Sequence, residues 1–243
     1  EGLPSDGPTG WQDYTSVRFV GANELMVTTL NGAALFDTNT YNVIQDWNTD
    51  SASSNSPVVL HNGIVYLGLN GDGILRYNTS SNLWMPKWSS TNNMIPNNQI
   101  TALALDELND SLWVGGDDNF DLTQIDLNTG TVTGNVDYGT EGLEELPPQK
   151  LIIDSGVLYF IPELSSQGDN IGRIDLSTGN LGYISVADGA INPSDEFGDD
   201  IFIHGADVVE GILHIGASEA ETRWWANCDE GYIMRYNLTS EDW

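Results

Sequence analysis

Five short apolar runs in this chain end on an Asp or Asn that opens a turn of Thr, Ser, Asn or Gly residues. They are Leu35-Phe36-Asp37, Arg76-Tyr77-Asn78, Gln124-Ile125-Asp126, Arg173-Ile174-Asp175 and Arg235-Tyr236-Asn237. An Asx side chain accepts a hydrogen bond from a backbone N–H two residues on, so each mark fixes a tight turn. The marks recur at intervals of 41, 48, 49 and 62 residues. The repeat is clearest over residues 98–132. There an alternating run (Ile100, Ala102, Ala104) meets an acidic turn, Leu112-Trp113-Val114 stops at Gly115-Gly116, a third run enters Asn128-Thr129-Gly130, and Val132 opens a fourth. Runs of this length, rich in β-branched and aromatic residues and closed by Asn, Asp or Gly, are strand–turn–strand signals.

Four short strands in every 40–50 residues is the period of a β-propeller blade, and no helical periodicity competes with it. The expected fold is therefore all-β, a propeller of four-stranded antiparallel blades forming one domain over residues 1–243. Five units fall at about 14–47, 57–88, 98–137, 148–186 and 204–243. The fifth lacks an outer strand. Either Trp11-Gln12-Asp13-Tyr14 supplies it and the ring has five blades, or the ring is larger. A first residue of Glu1 and an end at Trp243 lead us to expect a longer natural protein.

With 243 residues and 40% hydrophobic content, the chain can bury a sizeable core. No apolar run approaches a membrane span, so no membrane insertion is expected of this segment. The charge is lopsided: 7 Lys+Arg against 36 Asp+Glu, a formal net charge of −29. That disfavours nucleic acid, whose recognition needs a cationic surface, and suits salty surroundings, bound cations or cationic partners. Cys228 is alone, so no disulfide framework exists within the chain. The sequons at Asn78, Asn109 and Asn237 are better explained by turn chemistry than by glycans.

The pattern Asn98-Gln99-Ile100, Leu103, Asp106, Leu112-Trp113-Val114-Gly115-Gly116 resembles the repeat of two-component-regulator propellers. So does Tyr66-Leu67-Gly68 followed by Gly71-Asp72-Gly73-Ile74-Leu75-Arg76-Tyr77. Quinoprotein-like propellers are a more distant likeness. The resemblance covers most of the chain loosely and the second and third units well. It implies an extracellular sensory or scaffold domain whose repeat carries no catalytic residue.

Antiparallel four-stranded units put the first and third turns at one end and the second turn and the inter-unit connection at the other. The first and third turns are short. The opposite end receives the segments 117–122, 162–171 and 217–231 and the connections 48–56, 89–97, 138–147 and 187–203. Long loops on a rigid scaffold are where binding usually resides. Acidic residues gather there, most densely at Asp117, Asp118, Asn119 and Asp121, then around Asp199 and Asp200. Carboxylate and amide oxygens suit Ca²⁺, although neither stretch has EF-hand spacing. Segment 217–231 also carries Arg223, Trp224 and Trp225. Adjacent residues of an extended segment point to opposite sides, so one ring can stack on a sugar or clamp a peptide. Trp47, Trp84, Trp88 and Trp113 fall at strand positions and read as packing between units.

Catalysis finds little support. His61, His204 and His214 are not brought together by spacing, and no nucleophile elbow or phosphate loop is present. The expectation is a non-catalytic recognition or scaffold propeller, extracellular or at the cell surface. It would meet a protein or glycan partner through its acidic long-loop face. A carbohydrate-active enzyme with carboxylates at the pore, or a structural repeat of an extracellular assembly, are the alternatives.

Overall fold

A computed structural model describes residues 14–29, 32–48, 56–92, 94–116, 121–139, 147–162, 170–185, 200–220 and 231–242. Within it the strands group into two compact units, Glu1–Asn135 and Val136–Trp243.

The first unit holds three antiparallel meanders, each pairing in chain order. The first sheet is β1 (Tyr14–Phe19), β2 (Glu24–Thr29), β3 (Gly32–Asp37) and β4 (Asn42–Asn48); the second is β5 (Val58–His61), β6 (Ile64–Leu69), β7 (Gly73–Asn78) and β8 (Leu83–Trp88). The third is β9 (Ile100–Asp106), β10 (Ser111–Gly116), β11 (Asp121–Asp126) and β12 (Thr131–Asp137). The second unit holds β13 (Pro148–Asp154), β14 (Val157–Pro162), β15 (Asn170–Asp175) and β16 (Leu181–Ser185), then the three strands β17 (Asp200–Val209), β18 (Ile212–Ala220) and β19 (Gly231–Asn237). These sheets are the blades of a β-propeller. Helical content among the described residues is one 3-10 turn, Ser90–Asn92. No helix there is long and apolar enough to cross a membrane.

Alternation along the strands gives the sheets apolar faces, and within each unit neighbouring sheets stack on them. Val20, Met26, Ala33 and Leu35 of the first sheet meet Val58, Val65, Leu67 and Tyr77 of the second. On the other face of the second sheet, Val59, Tyr66, Ile74 and Trp88 meet Ile100, Leu103, Leu112, Val114 and Ile125 of the third. In the second unit, Tyr159, Ile161, Ile171 and Ile184 pack on Leu213, Ile215, Met234 and Tyr236. Trp88 and Trp113 are buried, as expected of packing residues. Trp88 sits 5.6 Å from the Tyr66 ring with the Arg76 guanidinium 4.4 Å over its face, and Trp84 sits 5.0 Å from Tyr77. The Trp47 side chain lies outside the described residues.

The fifth hairpin is longer than its sequence suggests. The expected strands began at Ala206 and ended at Gly216, but pairing continues out to Asp200↔Ala220 across a register shift between Ile203 and Gly205. Ile201-Phe202-Ile203 is an apolar, β-prone run that extends the ladder, and the register shift leaves His204 as the extra, bulged residue. Tyr14, read as the end of a closing outer strand, pairs with Thr29 in the first sheet. Trp11, Gln12 and Asp13 lie outside the described residues.

Candidate functional site

One end of the blades is built five times over from a single local rule. At the turn after each sheet's third strand the carboxylate or amide oxygen of Asp37, Asn78, Asp126, Asp175 or Asn237 accepts backbone N–H bonds from the residues two and three positions on, at 2.7–3.1 Å. Four positions on, the chain turns left-handed at Tyr41, Asn82, Gly130, Gly179 and Glu241, with φ between +56° and +74°. The residue after each mark then donates its N–H across to the neighbouring turn: Thr38 to Asn23, Thr79 to Gly63, Leu127 to Asp110, Leu176 to Gly156 and Leu238 to Gly211, at 2.8–2.9 Å. Those neighbours include Asn62-Gly63, Ser155-Gly156 and Glu210-Gly211, which take positive φ at both residues. That is the backbone of the tightest hairpin turns. The exposed Asp37 and Asp126 carboxyls are held below the usual carboxylate range, chiefly by the N–H of Asn39 and of Thr129 respectively. Asp175 is lowered chiefly by the Ser177 hydroxyl.

The opposite end, where the long segments enter and leave, has no such rule. In the first unit the connection from the second sheet to the third is pinned by its own contacts. The Asn98 carbonyl accepts from both Gly71 and Gly73 at 2.9 Å, and its side-chain oxygen accepts from Ser90 N–H at 2.7 Å. Gly71-Asp72-Gly73 is the tight turn its sequence suggested, with φ of +100° and +84° at the glycines; a Cβ on Gly73 would strike the Trp88 carbonyl. Asp72 pairs with Lys87. In the second unit, Tyr138, in the connection leading to the fourth sheet, packs 4.8 Å from Phe160. The Phe160 ring lies over Gly172 in the space a Cβ would occupy.

Between the first unit's connection and the third sheet lies a small cleft of about 30 Å³, floored by Ile95, Ile100 and Val114 and edged by Asn97 and Asp121. Asp121 accepts from Asn135 Nδ2 at 2.9 Å, and the Thr123 hydroxyl donates to Asn135 Oδ1 at 3.1 Å. Asp121 is not the loop residue its sequence position suggests: it opens β11, and its side chain bonds that of Asn135 on β12. Asp200, also read as a loop ligand, has its backbone on β17 paired with Ala220. Asp117, Asp118, Asn119, Asp199, Arg223, Trp224 and Trp225 lie outside the described residues. Among the described residues no three His, Cys, Asp or Glu side chains gather where a metal could sit. His61 lies at the short-turn end, 3.0 Å from Asp110 of the next sheet.

Sequence reasoning missed how the few cations are used. Arg18 donates to the Val58 carbonyl, Arg76 bonds the Pro86 carbonyl and covers Trp88, and Arg173 pairs with Glu241 at 2.8 Å. Lys150 is desolvated, which pushes its ammonium below the usual lysine range. The recurrent Arg two residues before a turn mark was the available signal for this.

No protein-family model matches the chain, and neither does any curated protein. Solved structures do. The extracellular domain of the B. thetaiotaomicron system BT4673 aligns with a TM-score of 0.66 at 15% identity, over 94% of this chain and 29% of that one. The WD40 domain of Neurospora crassa Pan2 aligns at 0.63 and 12% identity, over 94% of this chain and 64% of its own. BamB from Moraxella catarrhalis aligns at 0.56 and 15% identity, over 94% and 62%. The chain thus spans less than two thirds of each. At these identities the likeness is one of fold, the β-propeller.

Proposed function

We propose that this propeller is a non-catalytic recognition or scaffold module of the cell surface or extracellular space. Its long-connection end would contact a protein or glycan partner. The observation that carries this reading is the contrast between the two blade ends: one is trimmed to a repeated turn, and the other takes every long segment. Length added at a loop costs stability only slowly, so its confinement to one end points to use at that end. The extracellular-domain neighbour in B. thetaiotaomicron agrees with the location. With Arg18, Arg76, Lys87 and Arg173 engaged internally, the remaining surface charge is dominated by carboxylates, which favours a neutral glycan or a cationic protein surface over nucleic acid. Arg223, Trp224 and Trp225 are the contact residues of this proposal. Ca²⁺ held near Asp117, Asp118, Asn119 and Asp121, or near Asp199 and Asp200, would order the acidic segments.

Two measurements test it. A glycan and protein array probed with the wild type and with Trp224→Ala/Trp225→Ala should show ligands lost in the variant while its melting temperature holds. Ligands bound equally by both would remove the tryptophans from the site. CaCl₂ should raise the melting temperature more than equimolar MgCl₂ does, since a ligand bound only by the native state stabilises it by mass action. Equal shifts would remove Ca²⁺ from the proposal.

A further inference from the structure

The cleft beside the third sheet lies wholly within the first unit and pairs an apolar floor with a polar edge. Ile95, Ile100 and Val114 are buried, whereas Asn97 and Asp121 are partly exposed. Each of these two polar side chains is held by one of its polar atoms. Asn135 Nδ2 donates to Asp121 Oδ2 at 2.9 Å, and the Thr123 hydroxyl holds the same amide by its oxygen at 3.1 Å. The Gln99 N–H donates to Asn97 Oδ1 at 2.7 Å. That bond orients the amide, because a backbone donor needs its oxygen. Asn97 Nδ2 is left as a donor and Asp121 Oδ1 as an acceptor, neither with a hydrogen bond among the described residues. Gly116 makes room for the arrangement, since a Cβ there would come 2.7 Å from the Gln99 carbonyl and 3.0 Å from Asn97 Nδ2.

At about 30 Å³ the cleft admits roughly two water-sized groups, each needing about 10–15 Å³. A sugar ring or an aromatic side chain is too large to enter. An ammonium tip is small enough, but it would meet aliphatic side chains at the bottom, where an unpaired charge is costly. Ca²⁺ would find one carboxylate there, short of the roughly six to eight oxygens it takes. A methyl group followed by an amide meets none of these objections. The methyl rests on the floor, the amide carbonyl accepts from Asn97 Nδ2, and the amide N–H donates to Asp121 Oδ1.

We infer that this cleft takes the acetamido group of an N-acetylated amino sugar, the ring staying outside. The inference rests on the recognition reading above and narrows its partner to a glycan. Acetylated lysine carries the same group. Acetylation, however, removes the positive charge that would draw a protein to a chain of net charge −29, whereas a neutral sugar has no such attraction to lose.

Saturation-transfer NMR titrations of the full chain with the methyl glycosides of N-acetylglucosamine and N-acetylgalactosamine test this. At least one should bind, with saturation strongest on the acetyl methyl. Methyl glucoside and methyl glucosaminide, which lack the acetyl group, should bind about tenfold more weakly or worse. Asp121→Asn keeps an oxygen for Asn135 but sets a donor against the amide N–H, so it should weaken the acetylated sugar about tenfold. Val114→Ile adds a methylene to the floor and should abolish binding. Both variants should keep the wild-type melting curve. No binding of either acetylated sugar, saturation centred on the ring, or an affinity unchanged by Asp121→Asn would overturn the inference. So would tighter binding of the free amine, which would make the cleft a cation site, or of Nε-acetyllysine, which would make the partner a protein. An array glycan without acetamido groups, bound equally by the wild type and Asp121→Asn, would overturn the cleft and leave the recognition reading standing. An array without any ligand would remove that reading and the cleft with it.

Discussion

The two ends of the blades are held in opposite ways. At the short-turn end the same hydrogen bonds recur in all five blades and involve residues close in sequence or on adjacent strands. At the long-connection end each anchor is particular: Asn98 with two glycine N–H groups in the first unit, and Tyr138 on Phe160 over Gly172 in the second. The difference teaches that regularity here marks scaffold. The end without a shared rule is the end that can be altered blade by blade without disturbing its neighbours.

The largest expected effect tests the anchored end. Gly172→Ala places a methyl inside the Phe160 ring, so the ring must leave and its contact with Tyr138 goes with it. A loss of about 3 kcal/mol or more is expected in urea unfolding, on the scale of core overpacking and lost aromatic packing. A loss below about 1 kcal/mol would mean that Phe160 has another place to go and the anchor is dispensable.

At the regular end effects should be smaller, alike and additive. Asn78→Ala and Asn237→Ala each remove an acceptor for two turn N–H groups, and each should cost about 1 kcal/mol. The double variant should match their sum within about 0.5 kcal/mol. Marked inequality would break the claim of one rule in every blade. Smaller still is a gain. Tyr41, 85% exposed, sits at φ +57° where the third and fourth blades hold Gly130 and Gly179. Tyr41→Gly should stabilise by about 0.5 kcal/mol, the relief of left-handed strain outweighing the freedom glycine adds to the unfolded chain.

The last prediction separates the marks by chemistry. Asp37, Asp126 and Asp175 have folded pKa values below their unfolded ones, so their contribution is present above the ordinary carboxylate range and is lost as pH falls through the lowered values. Asn78 and Asn237 do the same work without a titrating group. Replacing the three aspartates with asparagine should flatten the acid limb of the melting temperature against pH. An unchanged limb would assign acid sensitivity to other carboxylates.

The turn marks show why so much of the fold was legible. Asp37, Asn78, Asp126, Asp175 and Asn237 act on N–H groups two and three residues away, so their chemistry is contained in the local sequence and their spacing gives the blade. Gly71-Asp72-Gly73 was legible for the same reason. Asp121 and Asp200 were misplaced because a strand ends where its partner ends. Their cross-strand neighbours, Asn135 by its side chain and Ala220 by backbone pairing, lie 14 and 20 residues further along. The use of Gly172 was hidden for a related reason: nothing in Ile171-Gly172-Arg173 announces that a phenylalanine from the adjacent strand will lie across it.

The sequence by itself therefore determined the blade, its turns and the sorting of long segments to one end, since period-two alternation and Asx turns are short-range physics. Only the tertiary structure decided which sheet faces are covered. Burial of an apolar strand residue depends on what stacks against it. Phe19 is open and Leu60 packs against the preceding sheet although both stand at the same place in their blades.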